Sequence, residues 1–138
     1  MSHTVDLEIP VGADLLVVAR LTASAVATRA GFDVEEIDDL RLAVDELCLP
    51  LVRARPDGRL HLRFAVDGSS VEISCTVVVD PVGAGDDGGS GEGGATGAHP
   101  DDALSARILD ALVDEHGFSG DGTRARHWLR KQRTSPAV

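Results

Sequence analysis

The stretch Asp33-Val34-Glu35-Glu36-Ile37-Asp38-Asp39-Leu40-Arg41-Leu42-Ala43-Val44-Asp45-Glu46-Leu47-Cys48-Leu49-Pro50-Leu51 decides the fold. Ile37, Leu40, Val44, Leu47, Cys48 and Leu51 recur with a period of about 3.6 residues, the stripe of a helix that buries one side. Asp33 stands where an N-cap belongs, and Glu35 and Glu36 follow in the first turn, where the helix dipole favours negative charge. Asp38, Asp39, Arg41 and Asp45 fall on the other faces. Upstream, a second helical pattern runs from Ala13 to Ala30 and meets Gly31, a helix-terminating glycine.

Farther out the period changes to two. Val5, Leu7 and Ile9 alternate with Asp6 and Glu8, a half-buried strand closed by Pro10. Downstream, Pro56-Asp57-Gly58 is a turn. Leu60, Leu62, Phe64 and Val66 then alternate with Arg59, His61 and Arg63, and Asp67-Gly68 is a hairpin signal. Val71, Ile73, Cys75, Val77 and Val79 form the returning strand, which Asp80 ends. Eight of the fifteen residues from Gly83 to Gly97 are glycine, and such a segment cannot bury enough apolar area to offset its ordering entropy. A flexible loop is expected over 83–97. Asp101 or Asp102 caps a third helix bearing Leu104, Ile108, Leu109 and Leu112, with its stop at Gly117. A last strand is expected over Thr123 to Arg130, then a frayed tail, 132–138.

Strands that adjoin without an intervening helix pair antiparallel. The expected fold class is therefore α+β, a two-layer sandwich in one domain over 1–138, with the helices on one face of a mostly antiparallel sheet.

Composition narrows the function. The chain has 138 residues, 43% hydrophobic and 26% charged, with a formal net charge of −10. Such acidity argues against holding a phosphate backbone and favours a partner with a basic surface. Cys48 and Cys75 lie in apolar stretches and form no CxxC or Cys/His cluster, so they read as reduced core thiols and no metal site is expected. His3, His61, His99, His116 and His127 have no metal-ligand spacing. The N-terminus lacks a signal-peptide pattern and no apolar run can span a bilayer, so a cytoplasmic location is expected.

The text Gly31-Phe32 with Glu35 to Cys48 resembles the anti-sigma-factor serine kinases of the RsbW type, members of the histidine-kinase-like ATPase superfamily. Ile9-Pro10, Ala19-Arg20-Leu21 and Ile108-Leu109-Asp110-Ala111-Leu112-Val113-Asp114-Glu115 add to the resemblance, which spans roughly residues 5 to 131. It implies the histidine-kinase-like ATPase fold, a homodimer, a sigma factor as bound partner, and a STAS-domain anti-anti-sigma protein as competitor. Active members phosphorylate that competitor with ATP and Mg²⁺.

The implied machinery matches residue by residue only in part. Glu46 stands at the general base. One turn on, the family's metal-binding asparagine is Pro50, which offers no side-chain oxygen to a hard cation. Pro50 also lacks an N–H and crowds the carbonyl of Glu46, so the helix is expected to kink or end there. Asp80 stands at the adenine-reading aspartate, followed by Gly83 and Gly85, with the first glycine displaced by one. Asp87 opens a similar pattern that composition alone explains. Ala103-Leu104-Ser105-Ala106-Arg107 replaces the glycines that cradle phosphates at the third helix.

Arg20 matches a first-helix arginine on the family's partner surface, and Leu16, Ala23, Ser24 and Ala27 share its face. Partner binding is expected through Leu16, Arg20 and Ser24. Arg124, Arg126 and Arg130 around Trp128 read as a solvated strand face. The expected function is an anti-sigma factor for a stress- or sporulation-type sigma factor, with weak or no ATP binding. The alternatives are an active serine kinase of the STAS protein and a paralogue that binds only the STAS protein as a decoy.

Overall fold

The computed structural model describes residues 2–79, 100–120 and 125–134. Strand β1 (Ser2–Pro10) leads through a 3₁₀ turn (Ala13–Leu15) into helix α1 (Leu16–Arg29), followed by α2 (Val34–Ala54). Strands β2 (Arg59–Asp67) and β3 (Ser70–Val78) come next, then helix α3 (Pro100–Leu112) and strands β4 (Glu115–Ser119) and β5 (Arg126–Gln132). All pairings are antiparallel, in the order β1-β2-β3-β5-β4. The fold is the expected α+β sandwich, with the helices packed on one face of the sheet.

The α1–α2 junction shows why these residues stop one helix and start another. Gly31 has φ +88°, its N–H bonds Thr28 O at 3.0 Å, and the N–H of Phe32 reaches back to Ala27 O at 3.1 Å. That is a Schellman ending, which needs a residue at ease with positive φ. Asp33 then caps α2: its Oδ1 accepts the Glu36 N–H at 2.8 Å, while Glu36 Oε1 accepts the Asp33 N–H at 3.0 Å, a capping box.

One face of the sheet meets the helices. Leu60, Leu62, Phe64, Val71, Ile73, Cys75 and Leu129 are fully buried there beneath Leu40, Val44, Leu47 and Leu51 of α2. Burying each such side chain contributes about 1.5–3 kcal/mol. Cys48 and Cys75 are both free thiols in this layer, with Sγ atoms 3.7 Å apart. The contact with Cys75, together with burial, pushes the Cys48 thiol well up, so it stays protonated. The opposite face is wet and carries cross-strand ion pairs: Asp6 with Arg63 at 2.9 Å and with His61 at 3.1 Å, Glu8 with Arg59 at 2.6 Å, and Glu115 with Arg130.

Several boundaries depart from expectation. Pro50 does not end α2, which runs on to Ala54. Leu51 is 1% exposed and Val52 packs on the core, so tertiary burial holds the last turn despite the missing N–H. The hairpin turn is Gly68-Ser69, one residue later than expected, with φ +64° at Gly68 and Asp67 paired to Ser70. Helix α3 begins at Pro100, so Asp101 and Asp102 lie inside its first turn. It ends at Leu112, and Gly117 sits in strand β4, opposite Trp128. A Cβ at Gly117 would lie 2.8 Å from the Trp128 indole nitrogen, so glycine there makes room for the ring. The tail is ordered through Thr134. Lys131 is buried, and its ammonium donates to Leu112 O at 2.7 Å, closing the end of α3. Arg133 N–H donates to Ser69 O at 2.8 Å, and Thr134 bonds Glu36. The expected loop 83–97 and residues 135–138 lie outside the described residues.

Candidate functional site

Helix α2 carries Glu46 on the side that faces α3. The Ser105 hydroxyl, 3% exposed on α3, donates to Glu46 Oε1 at 2.8 Å. The stretch Ala103 to Arg107 thus packs onto α2, with its one hydroxyl on the Glu46 carboxylate. Pro50 lies one turn along the same helix with no oxygen to offer a metal ion. On this side of α2, Glu46 thus offers one carboxylate, already hydrogen-bonded by Ser105, and Pro50 adds no side-chain oxygen. Among the described residues, no group of three or more His, Cys, Asp or Glu side chains converges to hold a metal ion. Asp80, Gly83, Gly85 and Asp87 lie outside the described residues.

The α1 residues separate. Leu16 is 3% exposed, Ala23 1% and Ala27 0%, and all three belong to the core. The apolar patch expected beside Arg20 is turned inward, because the stripe that reads as a free face on one helix is the stripe that meets α2 and the sheet. Arg20 sits at the α1–α2 seam, where one guanidinium nitrogen contacts Asp45 Oδ1 at 2.9 Å and Oδ2 at 3.2 Å. The two side chains are 33% and 28% exposed, a setting in which an ion pair is worth about 0–1 kcal/mol. Ser24 is half-buried, and its hydroxyl donates to Arg20 O at 3.0 Å. The apolar side chains that α1 does present are Val17, 41% exposed, and Leu21, 60% exposed.

Two residues the sequence did not single out complete this geometry. Asp45 pairs with Arg20 across 25 positions of chain, and Ser105 with Glu46 across 59. Spacing carries no signal for either contact, since both form only when separate helices pack.

Comparison with known proteins gives a consistent picture. Residues 9–127 match the histidine kinase-like ATPase domain family. A serine-protein kinase RsbW of Bacillus pumilus is 35% identical over 131 residues, covering 83% of this chain and 79% of that protein. A serine-protein kinase RsbW of Bacillus licheniformis is 29% identical over 122 residues, covering 80% of this chain and 74% of its own length. The match to the Bacillus subtilis RsbW is shorter, 32% over 73 residues, half of this chain and 46% of that protein. On the strength of these matches and the architecture above, the chain belongs to the histidine kinase-like ATPase domain family.

Proposed function

We propose that this protein is an anti-sigma factor that sequesters an alternative sigma factor without using ATP, and that a STAS-domain antagonist releases it. The observation that carries the ATP-independent part is the Ser105–Glu46 hydrogen bond, 2.8 Å, with Pro50 one turn further along α2. Phosphoryl transfer depends on a metal to neutralise developing charge and on a base free to take a proton. This α2 lacks the oxygen for the first and ties up the second. Partner recognition rests on the outer side of α1: Arg20 and Ser24 at the seam with α2, with Leu21 as the apolar contact in place of buried Leu16. A half-exposed arginine held in place by Asp45 is pre-oriented for a partner carboxylate. The reading places the protein in the cytoplasm as a homodimer; no helix among the described residues is long and apolar enough to cross a membrane.

The second reading is an active serine kinase of the STAS protein. The retained Glu46 and the kinase relatives favour it. The two separate in one experiment, in which purified chain is mixed with sigma factors and STAS proteins of the source cell, with and without radiolabelled Mg-ATP. The proposal expects a sigma complex that ATP does not change, displacement by the STAS protein, and a loss of about 1–3 kcal/mol for Arg20→Ala. Asp45→Asn, which removes the same ion pair, should lose less affinity. Transfer of label to a STAS serine would establish the kinase. Binding to the STAS protein alone would establish a decoy.

A further inference from the structure

Cys48 of α2 and Cys75 of β3 are both free thiols, fully buried, and their Sγ atoms lie 3.7 Å apart. β3 is an interior strand, flanked by β2 and β5, so this contact sits in the middle of the helix–sheet layer. The adjoining turn of α2 is pinned to the sheet. His127, opposite Cys75 in the β3–β5 register, donates from Nδ1 to Leu47 O at 2.8 Å. The two sulfurs stand 27 residues apart in the chain, so packing of α2 on β3 and not chain proximity brings them together. Among the described residues no group of three His, Cys, Asp or Glu side chains converges, which separates the pair from a metal site.

We propose that Cys48 and Cys75 are a redox-sensitive pair: hydrogen peroxide closes them into a disulfide that ties α2 to β3, and a dithiol reductant reopens it. One sulfur, after losing its proton, attacks an oxygen of the peroxide. The S–O bond forms, the O–O bond breaks, and the departing hydroxide takes up a proton as water, leaving a sulfenic acid. The second sulfur then displaces hydroxide from that sulfenic acid. The S–S bond forms, and the thiol proton leaves with the hydroxide as a second water. Together the thiols lose two electrons and the peroxide gains them. A disulfide is about 2.05 Å long, so the sulfurs close a gap of under about 2 Å, within the reach of side-chain torsion.

Burial sets the pace of the reaction. Contact with Cys75, together with burial, pushes the Cys48 thiol well up, so the closed fold holds little thiolate. Peroxide reaches the pair when α2 lifts from the sheet, and the disulfide then forbids that same opening. The place of the tie gives it a consequence. Cys48 lies one turn beyond Asp45, which holds Arg20, and close behind Glu46, which Ser105 holds. Oxidation therefore fixes to the sheet the part of α2 that meets both α1 and α3. The inference goes beyond the anti-sigma reading, because it needs neither a partner protein nor a nucleotide.

The test treats the reduced full chain with hydrogen peroxide, blocks remaining thiols with iodoacetamide under denaturing conditions, and digests with trypsin. Trypsin places the two cysteines on separate peptides, 42–53 and 64–107. The expected product is those peptides joined by a disulfide, from a chain that keeps its monomer mass under non-reducing denaturing conditions. Freed of oxidant, the oxidised chain should unfold at higher urea than the reduced one. It should exchange the amides of residues 44–49 at least about tenfold more slowly, and dithiothreitol should reverse both changes. Cys48→Ala and Cys75→Ala should show neither change with peroxide, and the wild-type comparison stands by itself if an alanine variant does not fold. Sulfinic acid in place of the joined peptides, a link between two chains, or an oxidised chain less stable than the reduced one would each overturn the inference. So would an equal shift in the alanine variants, which would trace it to oxidation of Met1.

Discussion

Glu36 and Glu46 lie on the same helix and live in different surroundings. Glu36 is 5% exposed, and its carboxylate accepts the Asp33 N–H at 3.0 Å and the Thr134 N–H and hydroxyl, both at 2.7 Å. Burial pushes its pKa up, but the hydrogen bonds from Thr134 and Asp33, with Lys131 nearby, outweigh burial and hold it below the ordinary glutamate value. Glu46 is half-buried and receives one hydroxyl, from Ser105. The contrast separates two kinds of inheritance. At the start of α2 a carboxylate is wired to the Asp33 N–H and to the N–H and hydroxyl of Thr134, near the far end of the chain, and changing it disturbs the scaffold. Farther along, a carboxylate is held by one exchangeable alcohol beside a proline, and its chemistry can be lost while the fold stands.

That contrast breaks first if Glu36→Ala is harmless. The variant leaves the Thr134 and Asp33 donors unpaired, and the expected loss is about 2–4 kcal/mol in urea unfolding. A loss under about 1 kcal/mol would show that the junction is not wired as described. The same residue sets an acid limb. Its folded pKa is lowered, so its contribution is fully present above about 4.5, the ordinary value, and is lost as pH falls through the lower folded value. Glu36→Gln should flatten that limb.

Next in size is Pro50→Ala. Proline in a helix interior costs up to about 3 kcal/mol, so the variant should gain about 1–3 kcal/mol. A loss would mean that the ring packs better than the missing hydrogen bond costs. The smallest effect is expected from Ser105→Ala, about 0.5–1.5 kcal/mol, because one neutral-donor hydrogen bond goes and the Glu46 carboxylate is near enough to the surface to find water. A loss comparable to that of Glu36→Ala would place the two glutamates in one class.

The sequence spoke most clearly where local pattern and burial agree. The stripe of α2, the Asp33 cap, the Gly31 stop and the alternating β2–β3 hairpin are all local signals, and each stands in the structure. The family resemblance rests on that same text. β4 was silent because it has only five residues, with Gly117 in its middle, and the reason for that glycine is Trp128 on another strand. The order of residues 131–134 comes from Leu112, Ser69, Ala30 and Glu36, all distant in sequence. Arg20 shows the limit most sharply. Its helical face could be drawn from spacing, but whether Leu16, Ala23 and Ala27 looked outward depended on where α2 lay. The gap at Pro50 was legible because a missing oxygen needs no neighbour to be noticed; the Ser105–Glu46 bond was not, because it joins two helices.

The most direct measurement is a calorimetric titration of Mg-ATP into the full chain, repeated with Pro50→Asn. No saturable heat is expected from the wild type at millimolar nucleotide, and Pro50→Asn alone should not restore it, because Ser105 still holds Glu46 and the third helix still lacks its glycines. Micromolar affinity in the wild type would contradict the proposal that this protein acts without ATP.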